Sequence, residues 1–138
     1  MAMQHVLGGA GDSPTILVEG TLRSGQSVNF EGNVVVLGDI NPGAQVTAGG
    51  NVIVMGVLRG MVHAGAAGDA QAVIVAFRLR PTQLRIANHI SRSPDGEVCN
   101  PNQPEIARVR EGIVVIEAFP PGGERQGKKQ RPREELKK

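Results

Sequence analysis

Shifting the chain against itself by 18 residues lays Gly25, Val28, Gly32, Asn33, Val34, Val36, Gly38 and Ile40 on Gly43, Val46, Gly50, Asn51, Val52, Val54, Gly56 and Leu58, and seven of these eight pairs are identities. A repeat this short cannot bury an apolar face alone, so its copies must stack on one another. The period divides into three strands of about six residues, each ended by a corner bearing Gly or Asn, which specifies an all-β chain wound as a triangular parallel β-helix (β-solenoid). Each turn should then place one strand on each of three faces. The short apolar runs Ile16-Leu17-Val18, Val28-Asn29-Phe30, Val34-Val35-Val36-Leu37 and Val52-Ile53-Val54-Met55 suit such strands. With rungs stacked about 4.8 Å apart, Val28 is expected over Val46 and Val34 over Val52. The corners Gly32-Asn33 and Gly50-Asn51 are expected to need positive φ, which Gly adopts freely and Asn tolerates.

A third, looser turn runs through residues 61–69, with two extra residues before a strand at 72–77, and 84–87 continue as a strand. After a loop rich in Pro, Asn and Asp, residues 105–110 and 113–117 flank Glu111-Gly112 and read as a strand-turn-strand cap on the open end of the solenoid. Residues 1–14 show no period and read as a flexible linker or a cut end, leaving 15–119 as the domain and 120–138 as a tail. Aromatic residues make up only 2% of the chain, so Val, Ile, Leu and Ala must fill the core. Charge is split: residues 1–119 hold eight Arg, no Lys and ten acids, whereas 120–138 hold seven basic residues and three acids. The tail has too few apolar side chains to offset the entropy of folding and is expected to be disordered. With no aromatic residue beyond Pro120 to stack on bases, no nucleic-acid partner is expected.

Signals of chemistry are absent. His5, His63 and His89 lack metal-ligand spacing, Cys99 is single and lies in the polar loop, and a phosphate-binding loop would need a lysine that residues 1–119 do not have. No catalytic residue, cofactor or metal is assigned, and the chain reads as not an enzyme. No run approaches the ~18 apolar residues of a membrane span and no signal peptide opens the chain, so a cytoplasmic protein is expected. What stands out is Arg23-Ser24-Gly25-Gln26, aligned with Asn41-Pro42-Gly43-Ala44 in the next repeat. Gly25 is a corner residue, but Arg23 and Gln26 bring a planar fork of donors and an amide that suit recognition of a partner. A solvated corner is the other reading of these residues. Arg59-Gly60 follows two repeat periods after Arg23, so both arginines are expected along one edge.

Thr21-Leu22-Arg23-Ser24-Gly25-Gln26, Gly38-Asp39-Ile40-Asn41-Pro42-Gly43-Ala44-Gln45-Val46, Ala48-Gly49-Gly50-Asn51-Val52, Leu58-Arg59-Gly60 and His63-Ala64-Gly65 together resemble the C-terminal domain of the MinC family, bacterial septum-site-determining proteins that inhibit cell division. The resemblance implies a right-handed β-helix that forms a homodimer through one apolar face. It also implies binding to the ATP-bound, membrane-associated ATPase MinD, which recruits MinC to the inner face of the cell membrane, where it opposes FtsZ ring assembly away from midcell. By similarity Arg23, Ser24, Gly25 and Gln26 carry MinD binding, and repeat geometry adds Arg59. The resemblance also implies that the main FtsZ-inhibiting activity belongs to an N-terminal domain, so this chain is expected to be an excised C-terminal domain or a short variant with reduced inhibition. The basic tail is not a family feature.

Two other classes share the architecture. A bactofilin-like structural polymer would leave its ends uncapped and grow end to end, against which the 105–117 hairpin argues. A hexapeptide-repeat acyltransferase would need a catalytic histidine at an interface, for which His63 is the nearest candidate, but the strict six-residue aliphatic period is missing.

Overall fold

The computed structural model describes residues 3–7, 14–91 and 103–119, all of whose regular elements are strands. Four rungs stack in parallel. Each begins on one sheet, as β2 (Thr15–Glu19), β4 (Asn33–Leu37), β6 (Val52–Leu58) and β8 (Ile74–Leu79), and ends on a second, as β3 (Ser27–Phe30), β5 (Gln45–Ala48), β7 (Met61–Ala64) and β9 (Gln83–Ile86). Val28 pairs with Val46 and Val34 with Val52, so the 18-residue register is the one read from the sequence.

The third face differs from the expected full strand per turn. Leu22, Ile40 and Leu58 meet only as single bridges, and Leu58 pairs onward with Leu79. In the third rung β6 bulges between Val54 and Val57, which lets the strand bend around the corner and run on to Leu58. Inward side chains form three aliphatic columns, such as Val18-Val36-Val54-Ala76, Val28-Val46-Val62-Leu84 and Leu22-Ile40-Leu58-Leu79, all buried. Each large aliphatic side chain removed from water contributes about 1.5–3 kcal/mol.

Polar ladders tie the corners. Asn33 Oδ1 accepts the Asn51 N–H at 2.8 Å, and Asn51 Oδ1 accepts the Val73 N–H at 2.8 Å. Asp39 does the same on its corner, accepting the Val57 N–H at 2.8 Å. The asparagines are therefore selected for their amide oxygens, and neither Gly32 nor Gly50 is in the positive-φ region expected of them. Glycine is needed there because a Cβ would run into the rung below, at the Pro14 carbonyl for Gly32 and at Asn33 Oδ1 for Gly50.

Antiparallel strands cover both edges of the first sheet and one edge of the second, where β3 remains an edge strand among the described residues. Antiparallel β1 (Met3–Leu7) covers β2, inside the stretch read as a linker from its lack of period. Pairing explains it, since β2 would otherwise present a bare edge. At the other end β10 (His89–Ser91) covers β9, while β11 (Glu105–Arg110) covers β8 and turns into β12 (Ile113–Ala118), the cap expected from the sequence. The turn between them has φ 53° at Glu111 and φ 79° at Gly112, the type I′ requirement of two positive angles. Because Glu pays for the left-handed conformation and Asn tolerates it, Glu111→Asn is expected to stabilise the fold by about 0.5–1 kcal/mol. A urea midpoint that stays put or falls would contradict that. The 120–138 tail and Cys99 lie outside the described residues.

Candidate functional site

The corner at residues 23–26 joins the third face to β3. It is a β-turn closed from both sides: the Gln26 N–H donates to the Arg23 carbonyl at 2.9 Å, and the Arg23 N–H donates to Gln26 Oε1 at 2.7 Å. Gly25 supplies φ 88° at the third position of the turn, where a side chain would be strained. The next rung builds the same turn from Asn41-Pro42-Gly43-Ala44, with φ 90° at Gly43 and Pro42 preset for the position before it. The two turns stack through the Gly25 N–H on the Gly43 carbonyl at 3.0 Å, and Ser24 Oγ sits where a Cβ on Gly43 would go.

Gln26 therefore spends its amide oxygen on holding the turn. Arg23 and Ser24 are left exposed on a rigid support. Rigidity matters because a side chain on an ordered turn loses less entropy when it engages a partner.

Arg59 is exposed on the same edge, its N–H donating to the Ile40 carbonyl at 2.7 Å, as the 36-residue spacing led us to expect. Its corner is two residues shorter than the two below it: three steps separate Leu58 from Met61, against five from Ile40 to Gln45. Gly60 makes this possible, packing where a side chain would meet the Asn41 and Ala44 carbonyls. After β7 the chain takes ten steps from Ala64 to Ile74, where the rung below takes four from Ala48 to Val52. The loop thus gains six residues, where the sequence suggested two. A glycine-anchored turn fills it, with the Asp69 N–H donating to the Gly65 carbonyl at 3.1 Å.

These length changes concealed Arg80, which follows Leu79 on the fourth rung of the same edge. The signal was present as a recurring dipeptide, Leu22-Arg23, Leu58-Arg59 and Leu79-Arg80. Arg80 Nη1 donates to the Leu79 carbonyl at 2.7 Å and lies 3.4 Å from Oε1 of the buried Glu105.

Two other surfaces flank this edge. The outward face of the β2-β4-β6-β8 sheet is largely apolar, with Leu17, Val35, Ile53 and Val75 in one register row and the exposed Leu37, Met55 and Phe77 two residues further along their strands, where β2 instead carries Glu19. The outward face of the second sheet is mostly polar, with Met61 exposed among polar side chains. A shallow depression of about 180 Å³ there is lined by residues including Gln45, Thr47, His63, Gln83 and Arg85, below the ~300 Å³ at which small-molecule sites begin. His63 lies 3.0 Å from the Ala87 carbonyl through Nε2. A carbonyl only accepts, so Nε2 carries the hydrogen and fastens the β9–β10 turn, where Ala87 has φ 53°. That is a structural task, unlike the base of an acyltransferase. Among the described residues no group of three or more His, Cys, Asp or Glu side chains is placed to hold a metal, and no helix is long and apolar enough to cross a membrane.

Residues 16–119 match the family model described as septum formation inhibitor MinC, C-terminal domain. The chain is 59% identical over 123 residues to a probable septum site-determining protein MinC of Heliobacterium modesticaldum, covering 89% of this chain and 42% of that one. It is 55% identical over 115 residues to the protein so described from Ruminiclostridium cellulolyticum, covering 82% and 50%. The chain thus spans about half the length of the curated relatives it matches. Among solved structures it resembles a chain of the MinC:MinD cell division protein complex of Aquifex aeolicus, with a TM-score of 0.71 and 39% identity over 77% of this chain and 87% of that one.

Proposed function

The chain belongs to the family of MinC C-terminal domains, and on that premise we propose that it is a dimeric adaptor that binds ATP-bound MinD and is carried by it to the inner face of the cell membrane. There it helps to prevent FtsZ ring assembly away from midcell, with the main FtsZ-directed activity assigned to another part of the protein. The observation that carries this reading is the doubly closed turn at residues 23–26, which holds Arg23 and Ser24 outward on a fixed support. The second rung makes an equivalent turn from Asn41-Pro42-Gly43-Ala44 without a charged group. A turn alone therefore does not require Arg23, and its guanidinium suits a carboxylate or backbone carbonyls of a partner. The solved complex of a similar MinC with MinD supports MinD as that partner.

We assign the dimer contact to the apolar outward face of the first sheet, because it presents the half-buried Ile53 and the exposed Leu37, Met55 and Phe77 together, while the second sheet presents Met61 among mostly polar side chains. Isologous contact of two such faces presents two Arg23 turns at once, so two MinD subunits can be engaged with an avidity beyond either contact.

Sedimentation with MinD and ATP tests the adaptor. Arg23→Ala should lower MinD binding by about tenfold or more, the usual scale for an interface arginine, and leave the melting temperature unchanged. Equal binding by the variant removes the site assignment; a folded wild-type chain that ignores MinD removes the function. The self-assembling reading has lost ground because antiparallel strands cover both edges of the first sheet.

A further inference from the structure

We infer that the partner surface is a ladder of three arginines, Arg23, Arg59 and Arg80, running along one edge of the solenoid and built to receive a row of carboxylates on the partner. The inference rests on the proposed MinD-binding role and extends it from one turn to the whole edge.

Register places the ladder. Leu22, Ile40, Leu58 and Leu79 are bridged in succession, so the residues after them, Arg23, Asn41, Arg59 and Arg80, occupy one position on four consecutive rungs. At about 4.8 Å per rung, Arg23 and Arg59 stand about 10 Å apart and Arg59 and Arg80 about 5 Å apart. The edge segments 23–26, 41–44, 59–60 and 80–82 contain no Asp or Glu. Neither the Arg23 nor the Arg59 side chain has a hydrogen bond or ion pair among the described residues. Like charges on adjacent rungs repel, and a row of acids on a partner relieves that repulsion.

Arg80 is paired with Glu105 and still presented to solvent. Its Nη1 is fixed by the Leu79 carbonyl at 2.7 Å and by Glu105 at 3.4 Å, yet 41% of the side chain stays exposed. The same Glu105 oxygen also accepts the Leu79 N–H at 2.7 Å, so its acceptor capacity is divided between the two donors. Pinning one nitrogen leaves the rest of the guanidinium presented at a set spacing from Arg59. A set spacing suits the fixed carboxylates of a folded partner, where forked pairing rewards geometry. The edge also lacks any aromatic ring on which nucleic-acid bases would stack.

The test measures the affinity of this chain for ATP-loaded MinD across a salt series, for wild type, Arg23→Ala, Arg59→Ala, Arg80→Ala and Arg80→Lys, with a thermal melt of each. Arg59→Ala and Arg80→Ala should each weaken binding by about tenfold at low salt and flatten its salt dependence, and Arg80→Lys should restore part of the loss. Arg59→Ala keeps the test decisive even if Arg80→Ala proves unstable. If both variants bind like wild type while Arg23→Ala does not, the ladder is wrong and the adaptor stands. Wild type failing to bind MinD overturns both readings. If wild type binds vesicles of anionic lipid without MinD, and loses that binding in both alanine variants, the edge is a membrane site and the ladder as stated is wrong.

Discussion

Replacing Glu105 by alanine is expected to cost about 2–4 kcal/mol of folding stability, more than any single change on the solvent side of the molecule. On the third face each rung passes a backbone hydrogen bond to the next: the Leu22 N–H donates to the Asp39 carbonyl at 2.9 Å and the Ile40 N–H to the Val57 carbonyl at 3.0 Å. At Leu79 no further rung exists to supply that carbonyl. Glu105, on the strand that covers β8, supplies its Oε1 at 2.7 Å instead, from a position that is only 4% exposed. Alanine leaves the buried Leu79 N–H without an acceptor and removes the partner of Arg80. Glu105→Gln keeps an acceptor and should recover most of the loss, whereas Arg80→Ala should cost less, because its half-exposed ion pair is screened by solvent. For a domain of about 100 residues the alanine change corresponds to a fall of roughly 10–20 °C in melting temperature. A melt within a few degrees of wild type would show that the end of the third face is satisfied in some other way.

The same residue shows where sequence reading stops. Val28, Val34 and Val36 declare their rungs because each recurs 18 residues on, and identical inward side chains stacked in register are what a period reports. The hairpin around Glu111-Gly112 was legible for a local reason, since two alternating runs flank a pair suited to a tight turn. Glu105 has neither kind of signal. It acts once, at the place where the repeat ends, so no second copy could reveal it. Strand β1 escaped for a related reason: Met3-Gln4-His5-Val6-Leu7 has no clean alternation, and its pairing is a response to the edge of β2.

The candidate site was legible in its first rung and progressively less so in later ones. Arg23 and Arg59 fall two whole periods apart and the structure sets both on one edge. Arg80 lies 21 residues after Arg59, because a six-residue addition in the 65–73 loop, a two-residue deletion at the Arg59-Gly60 corner and the β6 bulge combine. A constant shift cannot follow such changes, although backbone hydrogen bonding restores the register across them. The glycines teach a similar lesson. Composition identified them as corner residues, but Gly25 is required for its positive φ and Gly32 for its close approach to Pro14, and only the fold separates those two needs.

Ile53→Asp is expected to turn the proposed dimer into a monomer, with association weakened by a hundredfold or more. Ile53 lies in the middle of the apolar outward face, between Val35 and Val75 on neighbouring strands and next to the exposed Met55. In a monomer Ile53 is only half-buried, so the substitution loses part of one aliphatic side chain and costs about 1–2 kcal/mol. In an isologous dimer it enters twice, and each buried carboxylate without a partner costs several kcal/mol, so even one such penalty of about 3 kcal/mol exceeds a hundredfold. Asn29→Asp, on the polar face of the second sheet, adds the same charge at an exposed position and should leave association intact. Sedimentation equilibrium over a range of concentrations distinguishes the outcomes, with circular dichroism to establish that the strands persist. A dimer that survives Ile53→Asp would move the contact to another face, and a wild-type chain that is monomeric at every concentration would remove the dimer. If the variant is a folded monomer, its binding to surface-immobilised MinD should fall much more than its binding to a single MinD in solution. Only the first of these depends on two arginine edges acting together.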